Sequence, residues 1–318
     1  MNFARSSRRA SLGAFTLIEL LVVIAIIALL ISILLPAIGR ARRSAWMAMS
    51  LSNIRQITAG AYTYREENKQ FMPLTKSYQR GTGPQSGSID IDAWCTWSYG
   101  GKNCDALWAT TYYGGVFDVE AFDRPINAHV YREVPIYAPP APALLSPTDL
   151  TRASLQLPVF KDPSDRISYQ ASPSFHAAPT EYPRSCYDDV GTSYQFNIKW
   201  WDQIASPGIG GQNPQGITNF TKAFDFGTNS ERAGDAYSPS RFVWMNDQYS
   251  DVVANNYNAN FKLKNGYGDN NKSVMGFMDG HAAYLKVRPG NNLTRNDPNN
   301  SYNNADYSFW FEFSKIRP

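Results

Sequence analysis

Residues 13–36 read GAFTLIELLVVIAIIALLISILLP, and one carboxylate, Glu19, sits inside an otherwise apolar run. From Phe15 to Ile38 the 24 residues carry no other ionisable side chain. At about 1.5 Å per residue this is long enough to cross the roughly 30 Å hydrocarbon core of a bilayer. A carboxylate near the entry of such a helix costs about 2.5–3.5 kcal/mol on insertion scales, so it is expected to have a partner and a function. The plain alternative is a signal anchor that tolerates one acid. A cleaved secretory signal does not fit, because its apolar region runs only about 7–15 residues.

Ahead of the run lies MNFARSSRRASLGA, with Arg5, Arg8 and Arg9, no acid, and Gly13 and Ala14 at its end. Glu19 is the fifth residue counted from Phe15 and Pro36 the twenty-second. Arg40, Arg42 and Arg43 flank the far side of the span as heavily as the first three arginines flank the near side, so charge alone does not orient it.

In these residues the chain resembles the prepilin-type N-terminus of type IV pilins and type II secretion pseudopilins. The resemblance implies a basic leader, 1–14, removed by prepilin peptidase between Ala14 and Phe15, with methylation of the new Phe15 amino group. The family usually has Gly immediately before the cut; here Ala14 stands there and Gly13 one residue earlier. It further implies that Glu19 pairs with the N-terminal ammonium of a neighbouring subunit, and that the segment around Pro36 loosens during assembly. The implied partners are the peptidase, other pilin or pseudopilin subunits, an inner-membrane assembly platform and the lipid bilayer. The implied topology is a single inner-membrane pass, 15–38, with everything after residue 40 extracytoplasmic.

The formal charge of +3 is accounted for by the three leader arginines, and no nucleic-acid partner is expected. Residues 39–70 hold six basic side chains against two acids, a collar that suits lipid headgroups. Within that segment Met47, Leu51, Ile54, Ile57, Ala61 and Tyr64 recur at steps of three and four, predicting an amphipathic helix whose stripe needs a covering surface. Pro36 withholds a donor from the Ser32 carbonyl, so a kink or soft point is expected there. From Phe15 to about Glu67 the helix would extend some 80 Å.

The remaining residues, 71–318, predict a globular extracytoplasmic head. Strand-like segments are Thr192–Ile198, Arg241–Asn246 and Ser273–Val287. In the last, Asp279-Gly280 reads as a two-residue hairpin turn that places Met278 opposite His281, Gly276 opposite Ala283 and Val274 opposite Leu285. That register gives one apolar face with a small-residue notch at Gly276 and Ala283, suited to close approach of the helix. The stretch PIYAPPAPALLSP, 135–147, reads as an extended strap, and 205–220 and 289–304 as surface loops. The expected fold is α+β: a long N-terminal transmembrane and amphipathic helix packed on an antiparallel sheet with long loops. The motifs GGK (100–102), RPIN (124–127), FKDPSD (160–165), GTSYQFN (191–197) and MDGH (278–281) are similar, in that order, to landmarks of pilin-like families with enlarged heads. Many relatives have Cys where Asp162 stands and His where Asp269 stands, so roles tied to those side chains do not transfer.

Cys95 and Cys104 are a candidate disulfide pair, with Cys186 left as a small buried hydrophobe. His129, His176 and His281 are isolated and read as structural or exposed. Trp94, Trp97, Tyr99, Trp108, Tyr112 and Tyr113 fall within twenty residues; they either fill the core of a loop-rich domain or form a sugar-stacking surface. A calcium site near Asp247, Asp251, Asp269 and Asp279 is an alternative without an EF-hand spacing, and no metal ligands or other cofactor are assigned. No GxSxG, HExxH or Walker-type loop is present, so the chain is not expected to be an enzyme. Two functional classes follow: a structural subunit of a type II secretion pseudopilus or type IV pilus, or a pilin-anchored adhesin with a glycan-binding aromatic head.

Overall fold

The computed structural model describes residues 16–68, 73, 96–105, 108, 119–133, 154–170, 184–197, 199, 238–290 and 300–310. The leader, Gly13, Ala14 and Phe15 lie outside them, as do the proline-rich strap and the 205–220 loop. By internal contacts the chain divides into two compact units, residues 1–44 and 45–318.

Helix α1 runs without interruption from Leu17 to Glu67, 51 residues with Pro36 inside it. Its apolar half is long and apolar enough to cross a membrane, and none of its most apolar 18-residue window is buried. Residues from Leu17 to Ile38 are exposed nearly throughout, which in water would be a large apolar liability.

In the second unit the expected stripe is covered. Ile54, Ile57 and Ala61 are fully buried, with Met47 and Leu51 packed at the margin of the same core. Their cover is a four-stranded antiparallel sheet, in the order β1 (Tyr194–Phe196), β2 (Val243–Asp247), β3 (Lys272–Phe277) and β4 (Ala282–Lys286). Tyr194, Phe196, Trp244, Val274 and Ala282 share the core with the helix. A second apolar core lies elsewhere in the unit, where Val243, Met275, Phe277 and Val287 meet Val253 and the segment Tyr302–Trp310. All five residues of β2 are buried, because the sheet contributes to both cores.

The hairpin register differs from the sequence expectation by one residue. Val274 pairs with Tyr284, Met275 with Ala283 and Gly276 with Ala282. The connection is a three-residue loop: the Phe277 N–H donates to the His281 carbonyl at 2.9 Å, and the Gly280 N–H donates back to the Phe277 carbonyl at 3.0 Å. Only Gly280, at φ 92°, has positive φ; Asp279 does not. A turn closed by a left-handed glycine bulge needs one such residue, where the two-residue turn needs two. The shift sends Ala283 to the second core, and the notch facing α1 is Gly276 beside Ala282. A Cβ at Gly276 would collide with Ile54 Cγ2 and sit 3.1 Å from Thr58 Oγ1, so the helix approaches the sheet over a position without a side chain.

Among the described residues the second unit also holds short α-helices α2 (Asn127–Val130), α3 (Cys186–Val190) and α4 (Gln248–Ala254).

Candidate functional site

At the start of α1, Thr16 and Glu19 form a reciprocal cap. The Thr16 N–H and Thr16 Oγ1 both donate to Glu19 Oε2 at 2.8 Å, and the Glu19 N–H donates to Thr16 Oγ1 at 3.3 Å. Thr-x-x-Glu is the capping-box spacing, which satisfies helix N–H groups that have no intrahelical acceptor. The spacing T-L-I-E thus gives Glu19 an intrachain role beside the intermolecular one that the family resemblance implies. Farther along, Ser32 Oγ donates to the Leu29 carbonyl at 2.7 Å, one turn before Pro36.

In the second unit the landmark motifs meet through buried polar groups. Asp162, from FKDPSD, accepts from Ser50 Oγ of α1 at 2.9 Å, from the Tyr267 hydroxyl, and from the Ser164 N–H at 2.7 Å. The Tyr194 hydroxyl lies 2.9 Å from Ser50 Oγ and, because the Ser50 proton is directed at Asp162, acts as the donor. Burial pushes the Tyr194 and Tyr267 hydroxyls well above the usual phenol range, so both stay protonated.

Asp165 lies at the start of α3, accepting the Cys186 and Tyr187 N–H groups at 3.0 Å each and the Ser193 hydroxyl at 2.6 Å. Burial raises its pKa to about 6 against these donors. Asp247 ends β2, caps α4 through the Tyr249 N–H at 3.0 Å, and accepts from Ser273 Oγ and the Val274 N–H of β3. Burial raises its pKa to about 7.

Arg124, from RPIN, is 1% exposed and is held by carbonyls: Gly100 at 2.9 Å, Val190 at 3.0 Å and Val119 at 3.1 Å. Asn127 donates to the Gly101 and Ala121 carbonyls and accepts the Gly101 N–H at 2.8 Å. The GGK, RPIN and GTSYQFN segments are thus one stapled unit, with the Lys102 N–H donating to the Gly191 carbonyl at 3.0 Å. These are loops fixed by buried hydrogen bonds, the arrangement in which a lost partner is costly.

The remaining sequence candidates separate. Trp97, Tyr99 and Trp108 are buried, so they pack the interior and offer no sugar-stacking face; Trp94, Tyr112 and Tyr113 lie outside the described residues. Cys95 also lies outside them, while Cys104 is buried with its Sγ 3.4 Å from the Val190 carbonyl and 3.2 Å from Arg124 Nη2. Cys186 is a fully buried thiol, raised by that burial. His129 bridges Glu67 and the Pro125 carbonyl, and His281 stacks on Phe277 beside Asp279; His176 lies outside the described residues. The four late aspartates are dispersed. Asp247 is in the buried network, Asp251 is 3.7 Å from Lys199, Asp269 is 3.3 Å from Lys272, and Asp279 is with His281. Among the described residues no three His, Cys, Asp or Glu side chains gather as metal ligands.

Comparison with family models, characterised proteins and solved structures finds no match to this chain. Two kinds of arrangement are present: an apolar helix that begins at a capped carboxylate, and a buried polar clamp that joins the later half of that helix to a loop-rich head.

Proposed function

We propose that this chain is a pilin-like structural subunit of a type II secretion pseudopilus or type IV pilus, anchored in the inner membrane with its head extracytoplasmic. Prepilin peptidase removes residues 1–14, Phe15 is N-methylated, and subunits assemble through α1 with the help of the membrane platform. The observation that carries this reading is the position of Glu19: fifth from Phe15, in the first turn of a helix whose next twenty or so residues are apolar and uncovered. The cap meets the hydrogen-bonding needs of Glu19 within its own chain but supplies no counter-charge, and a charge in lipid is costly without one.

The capping box sharpens the test. Glu19→Ala removes both the cap and the charge, whereas Glu19→Gln keeps a residue that completes a capping box and removes only the charge. Inter-subunit crosslinking of both variants beside wild type, with membrane fractionation as control, separates the two roles. Loss of crosslinked ladders in both, with normal membrane insertion, supports charge pairing between subunits. Normal ladders in Glu19→Gln reduce Glu19 to a helix cap and remove the support for assembly through it.

A further inference from the structure

The second unit carries a surface depression of about 530 Å³ where GGK and FKDPSD come together, and no role assigned above uses it. Among the described residues, four cationic side chains line it: Lys102, Lys161, Arg166 and Arg184. They are not equivalent. Lys102 is buried, lies 2.7 Å from Asp188 Oδ1 and sits 4.5 Å over the Tyr187 ring. Arg184 pairs closely with Asp105. Lys161 reaches Asp188 only at 3.9 Å and lies 5.2 Å from the Tyr187 ring centre.

Arg166 has no carboxylate partner among the described residues. Its Nη1 donates to the Asp165 carbonyl at 3.0 Å, and its guanidinium stands 5.7 Å over the Trp46 ring. Arg166 is an exposed residue, and its guanidinium is held on two sides with donors to spare.

The carboxylates of the depression are already engaged. Burial pulls the Asp188 pKa upward, but hydrogen bonds from Lys102 and Ser185 outweigh it and hold the group below the usual carboxylate range. Asp165 spends its oxygens on the α3 N–H groups and Ser193. A depression with fixed, under-neutralised cations and engaged acids favours a small oxyanion with several acceptor oxygens.

We infer that this depression is a binding site for a phosphate-type oxyanion, with Arg166 and Lys161 as the binding cations and Lys102–Asp188 as the fixed wall. The site belongs to the head and stands independently of how the chain is anchored. Phosphate could reach it as a free anion or as the headgroup of an acidic phospholipid; the recognising chemistry is the same.

The test is isothermal titration of the full chain in dodecyl maltoside micelles with inorganic phosphate, replacing chloride at constant ionic strength. Saturable binding is expected, weakened about tenfold or more by Arg166→Gln or by Lys161→Gln, the scale of one lost charge-assisted contact. Lys262→Gln, at an exposed lysine that does not line the depression, should bind as wild type. Arg166 is itself exposed, so its variant is expected to fold, and near-ultraviolet circular dichroism checks this. Repeating the titration in nanodiscs identifies the source. Phosphate binding suppressed in phosphatidylglycerol but not in phosphatidylcholine discs assigns the site to a lipid headgroup, and equal binding in both assigns it to a soluble anion. Absence of saturable binding in micelles, or equal binding by wild type and both lining variants, overturns the proposal.

Discussion

Ser50 of α1 donates to Asp162 of the FKDPSD loop at 2.9 Å, with Ser50 fully buried and Asp162 3% exposed. This bond joins the helix to the loop system. Asp162 also receives the Tyr267 hydroxyl and the Ser164 N–H, so one carboxylate serves three donors.

Replacing Asp162 with Ala should therefore destabilise the head by about 3 kcal/mol or more, since buried donors without an acceptor cost about 1–3 kcal/mol each. Asp162→Asn keeps one acceptor oxygen and should lose less. Thermal unfolding of the full chain in detergent, followed by near-ultraviolet circular dichroism, reads the order wild type, Asn, Ala. An Ala variant that melts like wild type would show that the helix is held by its apolar stripe alone.

Gly276 sets the distance between helix and sheet. Gly276→Val places a branched side chain against Ile54 and Thr58, and overpacking of this kind costs about 1–3 kcal/mol. Limited proteolysis should cut the α1 segment 45–67 faster in the variant than in wild type. Equal cutting rates would mean that the helix does not rest on this position.

Gly280 closes the β3–β4 hairpin at φ 92°, a conformation that a β-branched residue adopts only with strain. Gly280→Val should lower the melting temperature, corresponding to a loss of at least about 1 kcal/mol. An unchanged melting temperature would argue against the glycine bulge.

Asp247 and Asp165 give the head an acid-favouring stability profile. Their folded pKa values are raised to about 7 and about 6 from an ordinary value of 3.8. A raised folded pKa means that the folded state binds the proton more tightly. That contribution is complete below about pH 4 and is lost as pH rises through about 6 and 7. Asp188, held low, works in the opposite sense only at acid pH, where its contribution disappears as it takes up a proton. Between pH 5 and pH 8 the melting temperature should thus fall as pH rises. A rise across that interval would contradict the assignment of Asp165 and Asp247 as carboxyl groups that retain protons on folding.

The long helix and its stripe were legible because 3.6-residue periodicity is a local property. Ile54, Ile57 and Ala61 are buried where the spacing placed them. The strands were also legible by their β-branched and aromatic runs; of the expected notch, Gly276 faces the helix and Ala283 does not. The hairpin register was not legible, because Asp-Gly fits both a two-residue turn and a three-residue loop with a glycine bulge, and choosing between them requires the φ of Asp279. The burial of Ser50, Thr58 and Arg65 on the helix is not legible, because an apolar pattern does not mark polar residues that share the covered face: Ser50 meets Asp162, while Arg65 lies over the Trp244 ring. The second core was missed for a different reason. It draws on Tyr302, Tyr307, Phe309 and Trp310 in an irregular segment, and irregular backbone has no period to read. At the N-terminus, the spacing of Thr16 and Glu19 encodes a cap that is local and therefore legible in the sequence.

The proposed role stands or falls at the N-terminus of the mature protein. Intact-mass and tandem mass spectrometry of the chain extracted from membranes of cells with active prepilin peptidase should show a polypeptide beginning at N-methylated Phe15. A chain still beginning at Met1 in those cells, or one cut elsewhere, would contradict the assignment to the pilin-like class and leave the apolar helix as an ordinary membrane anchor.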